Sequence, residues 1–124
     1  MKIDYKAIPK ISLKEQTDIM KEFFLDISGR NRDEQIDIIQ EMIGELARNS
    51  TDSEYISICK ASIQALLSMK ESDMKRLLSA RLAAQFKLED YFERTLDSTD
   101  FMKAIQAMPE KEKLIALIRE FGYF

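Results

Sequence analysis

Apolar residues recur along most of the chain at intervals of three and four rather than two, the period of helices lying on a core. The first such segment opens at Ser12, whose spacing to Glu15 is that of a capping box. Leu13, Ile19, Met20, Phe23, Phe24 and Ile27 fall on one stripe, and Gly29 suits the left-handed stop position. A second helix follows Asn31, buries Ile36, Ile39, Met42, Ile43 and Leu46, and ends near Asn49. The third follows a Thr51–Glu54 box and has a wide apolar arc: Tyr55, Ile56, Ile58, Cys59, Ile63, Leu66, Leu67 and Met69. So little polar surface predicts the central helix. A fourth helix is predicted from Ser72 to about Leu96, the longest, and a short fifth after Ser98 turns Phe101, Met102 and Ile105 inward. Pro109 suits the first position of a sixth, which Gly122 stops. Before Ser12 the alternation of Ile3, Tyr5 and Ala7, with Pro9, predicts an extended arm over residues 1–11 that covers the core or exchanges with a neighbouring subunit. The expected fold is all-α, a compact antiparallel bundle of five to six helices forming one domain over residues 1–124. The short connections predict that consecutive helices are neighbours.

Composition narrows the chemistry. There is no histidine, so no imidazole base and no Ser-His-Asp or Cys-His relay. The single cysteine, Cys59, excludes an internal disulfide and a multi-thiolate zinc site. Three separated glycines cannot form a P-loop or a GxGxxG turn. No cofactor is expected. Nineteen Lys and Arg against 22 Asp and Glu give a net charge of −3, which argues against nucleic acid as a partner. No apolar run approaches the ~20 residues of a membrane span, and the first residues lack an apolar leader. A cytoplasmic setting with no membrane attachment is the expectation.

What remains is carboxylate chemistry. Asp33, Asp37, Glu41 and Glu45 stand four apart on the second helix and share one face. Like charges at this spacing cost a helix a few tenths of a kcal/mol per pair, which Arg48 partly offsets. The simplest reading is a solvated face; the sharper one is a surface for a basic partner or a cation. A divalent ion needs oxygens from more than one element, and this helix supplies one side only. The stretch Ile39-Gln40-Glu41-Met42-Ile43-Gly44-Glu45-Leu46-Ala47 resembles the first acidic motif of the MazG-type all-α nucleotide pyrophosphatases. That resemblance implies a magnesium-dependent nucleotide pyrophosphohydrolase, with Asp37, Glu41 and Glu45 as metal candidates. The family's second motif, Glu-x-x-Asp, has no counterpart in the third helix. The next acidic cluster is Glu89-Asp90 with Glu93, and its spacing differs from that motif.

Arg81 falls in the middle of the arc that the fourth helix is expected to bury with Met74, Leu77, Leu78, Leu88 and Phe92. A buried guanidinium needs an acid, a carbonyl or a route to water, so a structural ion pair with another helix is expected. An anion pocket or a subunit contact is the functional alternative. Leu25 and Ile38 lie off the main stripes, and Phe121, Tyr123 and Phe124 cluster at the C-terminus, where they would form an interface or fold back. The back half, with Arg81 and Met108-Pro109-Glu110-Lys111-Glu112-Lys113-Leu114 leading to Phe121, is similar to the helical domain of archaeal GINS replication subunits. That similarity implies a non-catalytic scaffold associated with nucleic-acid processing. The resulting expectation is a non-enzymatic interaction or assembly protein, a homodimer or bound to another protein. Asp33, Asp37, Glu41, Glu45, Arg81, Phe121, Tyr123 and Phe124 are the candidate contact residues.

Overall fold

A computed structural model describes residues 3–122. Its helices begin where the chain offers side-chain acceptors to free backbone N–H groups. Ser12 accepts from the Glu15 N–H and Glu15 accepts in return, opening α1 (Leu13–Ile27). Asn31 accepts from the Glu34 N–H at 2.9 Å to open α2 (Arg32–Arg48). The Thr51–Glu54 box opens α3 (Asp52–Leu67). Then follow α4 (Glu71–Lys87), α5 (Tyr91–Gln106) and α6 (Lys111–Glu120). The result is a compact all-α bundle of six helices, with no strand among the described residues.

The predicted fourth helix is two helices. The chain leaves the α conformation at Leu88, with ψ 124°, and Asp90 is extended. Asp90 accepts from the Glu93 N–H at 2.8 Å, a cap of the same kind as those before α1, α2 and α3. The carbonyls freed at the break find side-chain donors: Gln40 reaches Lys87 O at 3.1 Å and Arg94 reaches Leu88 O at 3.0 Å. Leu88 itself is buried and anchors the turn. At 17 residues α4 equals α2 rather than exceeding it. Phe92, expected inside, is 69% exposed, because the break resets the helical phase.

Other expectations also change at the boundaries. From residue 3 onward the arm is not extended: it forms a turn and a short 3-10 helix, Ile8–Lys10, with Pro9 in its first turn. The Asp4 carboxylate accepts from the N–H groups of Lys6 and Ala7, which tightens that turn. The arm does cover the core, since Ile8 and Pro9 are buried and Gln16 donates to Ile8 O. Gly29 does not adopt positive φ, whereas Gly122 does, at 88°. Pro109 precedes the α6 cap residue, Glu110, rather than opening the helix.

The main packings join alternate helices: α1 on α3, α2 on α4 and α3 on α5. The short connections therefore do not make consecutive helices the main neighbours. α3 is central, touching α1, α4, α5 and the 3-10 turn, as its wide apolar arc requires. Ala61, Ser62 and Ala65 are buried on it and let neighbours approach closely. Phe24, Tyr55, Leu77 and Phe101 fill the interior, each contributing about 1.5–3 kcal/mol by burial. No helix among the described residues is long and apolar enough to cross a membrane.

Candidate functional site

The acidic face of α2 does meet a second acidic element. A groove of about 410 Å³ is lined by Asp37, Glu41 and Gly44 of α2, by Glu89 and Asp90 of the α4–α5 turn and by Glu93 at the start of α5. Arg48 also lines it, but its guanidinium is already committed. It donates to Glu45 at 2.7 Å and to both oxygens of Glu93 at 3.1 Å. Hydrogen bonds to those carboxylates raise the Arg48 pKa. Gly44 makes room for this pair: a Cβ there would lie 2.9 Å from Glu93 Oε1 and 3.2 Å from Arg48 Nη1. This leaves Asp37, Glu41 and Glu89 exposed and without an ion-pair partner among the described residues. Asp33 is exposed on the same helix but outside the groove, and Glu45 faces away towards Tyr5. Burial, and then the charges of Glu41 and Glu45, raise the Tyr5 pKa. No group of three or more cysteine or acidic side chains among the described residues is arranged to hold a metal ion.

Arg81 lies elsewhere, and is 2% exposed. It donates to both carboxylate oxygens of Asp97 on α5, at 2.5 and 2.6 Å. Tyr55 of α3 donates its hydroxyl to the same carboxylate at 2.6 Å. The guanidinium carbon sits 4.0 Å from the centroid of the Phe101 ring. Burial opposes the charge on Arg81, but Asp97 outweighs it and the pKa is raised. Burial and then Asp97 push the Tyr55 hydroxyl and the Cys59 thiol well above their ordinary values, so neither ionises at neutral pH. Three helices are thus joined by one buried ionic network with its donors directed inward.

Phe121 is half-buried and packs on the core rather than projecting from it. Tyr123 and Phe124 lie outside the described residues. Ile38 is also partly buried, while Leu25 is exposed. The more prominent exposed aromatics, Phe86, Tyr91 and Phe92, border the α4–α5 break. A helix predicted straight through residues 88–90 hides the exposure of Phe92, the meeting of Glu89, Asp90 and Glu93 with α2, and the pairing of Asp97 with Arg81. Two signals were present. Asp90 and Glu93 have cap spacing, and Asp97, Asp100, Phe101 and Ala104 form a helical stripe whose polar members occupy core positions. Compared with protein-family models, curated proteins and solved structures, the chain matches none.

Proposed function

We propose that the protein is a non-enzymatic interaction module whose acidic groove receives a basic segment of another polypeptide. The observation that carries this reading is the convergence of carboxylates from two separate elements while the one cation in the groove, Arg48, is spent on Glu45 and Glu93. The α2 acidic column costs helix stability in isolation, and a cationic partner would offset that cost. Exposed Tyr91 and Phe92 adjoin the groove at Asp90 and offer apolar anchors at its rim. A basic amphipathic segment has the matching chemistry. Phosphate-bearing nucleic acid does not, because it would set anion against anion. A second copy of the chain is also poorly matched here, since a two-fold contact through this groove would oppose like charges. Self-association through other faces is a separate proposal, read by sedimentation against the 14.5 kDa chain mass. A cytoplasmic setting goes with this proposal.

The test is fluorescence anisotropy with a labelled lysine-rich amphipathic peptide. Saturable binding that weakens with salt and is lost in the double variant Asp37→Lys, Glu41→Lys is expected. Binding that ignores both salt and charge reversal overturns the proposal. The magnesium-dependent pyrophosphohydrolase is the rival reading: the groove draws carboxylates from two elements, but no three acidic side chains among the described residues are grouped to hold a metal ion. Pyrophosphate release from nucleoside triphosphates with magnesium, lost in Glu41→Gln, would establish it in place of the first.

A further inference from the structure

A second concavity lies beside the start of α5 and shares no residue with the acidic groove. Its volume is about 280 Å³, and its wall includes Asp52 from the first turn of α3 and Tyr91, Phe92, Thr95, Thr99 and Asp100 of α5. Tyr91 and Phe92 are largely exposed, and Asp52 is exposed at the outer end. Asp100 is fully buried, and its carboxylate oxygens receive no N–H or hydroxyl donor; the polar group that faces them is the Asp52 carboxyl. Almost every buried polar group in a folded protein is partnered, and an ionised carboxylate without donors is especially costly.

Two things can relieve that cost. One is a proton. Burial, and then Asp52, push the Asp100 carboxyl up to about 7, the behaviour of two carboxylates that share one proton. Asp97 acts in the same direction and Lys103 in the opposite one, without forming an ion pair with Asp100. Cys59 of α3 stays a neutral thiol, and Arg81 of α4 is held by Asp97. The other is a cation with N–H donors. We propose that this concavity binds an alkylammonium group, its nitrogen held by the Asp52 and Asp100 carboxylates and its carbon chain laid over Tyr91 and Phe92. An ammonium has three donors and no acceptor, which matches carboxylate oxygens plus the Thr95 and Thr99 hydroxyls. Aromatic faces stabilise both the charge and the chain, and Tyr91 already receives the Arg94 guanidinium at 5.7 Å from its centroid. Its carboxylates, Asp52 and Asp100, are not those of the acidic groove, so the Asp52 and Asp100 variants separate this site from the groove even though Tyr91 and Phe92 border both.

Binding displaces the shared proton, so affinity falls about tenfold per pH unit below the Asp100 titration. The full chain is titrated with n-butylammonium by NMR and calorimetry at pH 8 and pH 6, where the amine stays charged. Saturable binding at pH 8 is expected, at least fivefold weaker at pH 6, and weakened at least tenfold by Asp100→Asn and by the Tyr91→Ala, Phe92→Ala pair. Should Asp100→Asn not fold, Asp52→Asn, at an exposed position, gives the same reading. A lysine-containing tripeptide binding more tightly than butylammonium assigns the natural source to a protein side chain. Equal or weaker binding assigns it to a free amine. Absence of saturable binding by both probes, or affinity unchanged in both Asp variants, overturns the proposal.

Discussion

Replacing Arg81 by Met removes one half of the buried network and leaves the other. Asp97 is fully buried and accepts three hydrogen bonds, two from Arg81 and one from Tyr55. After Arg81→Met only the Tyr55 bond remains, and the carboxylate must be carried uncompensated or take up a proton. Breaking a buried pair from one side costs about 3–5 kcal/mol. Loss of the guanidinium above Phe101 adds about 1 kcal/mol, which the methionine sulfur largely returns by its own contact with the ring. A domain of this size has a total stability of about 5–15 kcal/mol, so the variant loses about a fifth of it or more. Urea unfolding followed by far-UV circular dichroism measures the loss, with an unchanged m-value as the check on two-state behaviour. The double variant Arg81→Met, Asp97→Leu removes both charges together and is expected to recover about 2 kcal/mol or more relative to Arg81→Met. An Arg81→Met protein within about 1 kcal/mol of the parent, or a double variant equal to the sum of its singles, would refute this account of the network.

Asp100→Asn is expected to stabilise the protein at pH 8, less at pH 5, and to have little effect below about pH 4. The folded-state pKa of Asp100, about 7, lies above the unfolded value near 3.9, so the folded state holds a proton that the unfolded state has lost between those limits. Its contribution is therefore fully present below about pH 4 and is lost as pH rises through 7, by at most about 1.4 kcal/mol per unit. Thermal melts of parent and variant across that window read it, and a constant difference would contradict it. At Gly44 two effects oppose: alanine gains about 1 kcal/mol of helix propensity, but its Cβ crowds the ion pair between half-exposed Arg48 and buried Glu93. Gly44→Ala is expected within about 1 kcal/mol of the parent in chemical denaturation, and Gly44→Val clearly below it. Equal stability of the two would mean that the close approach does not matter.

The helical period carried most of the architecture. The caps at Ser12, Asn31 and Thr51 were legible because each precedes an unbroken apolar stripe. The centrality of α3 followed from its wide apolar arc. The α4–α5 break was harder to see, because Leu88 continues the preceding stripe and neither glycine nor proline marks the turn. What breaks the helix is Asp90 as a cap, together with Gln40 from α2 holding the Lys87 carbonyl, and that second contact is tertiary. The acidic column on α2 was legible from spacing alone. Its opposite wall was not, since Glu89 and Asp90 reach the groove only once the chain has turned. Arg81 was legible as a buried charge in need of an acid. Its partner is hidden because Asp97 falls between the two predicted stripes, whereas it lies in the middle of α5.

The groove reading has one most direct measurement: amide chemical-shift mapping of the isotope-labelled protein as the lysine-rich peptide is added. The account predicts perturbations confined to the outer face of α2 around Asp37 and Glu41 and to residues 88–93. Shifts centred on α1 or α6, or spread evenly over the surface, would contradict it.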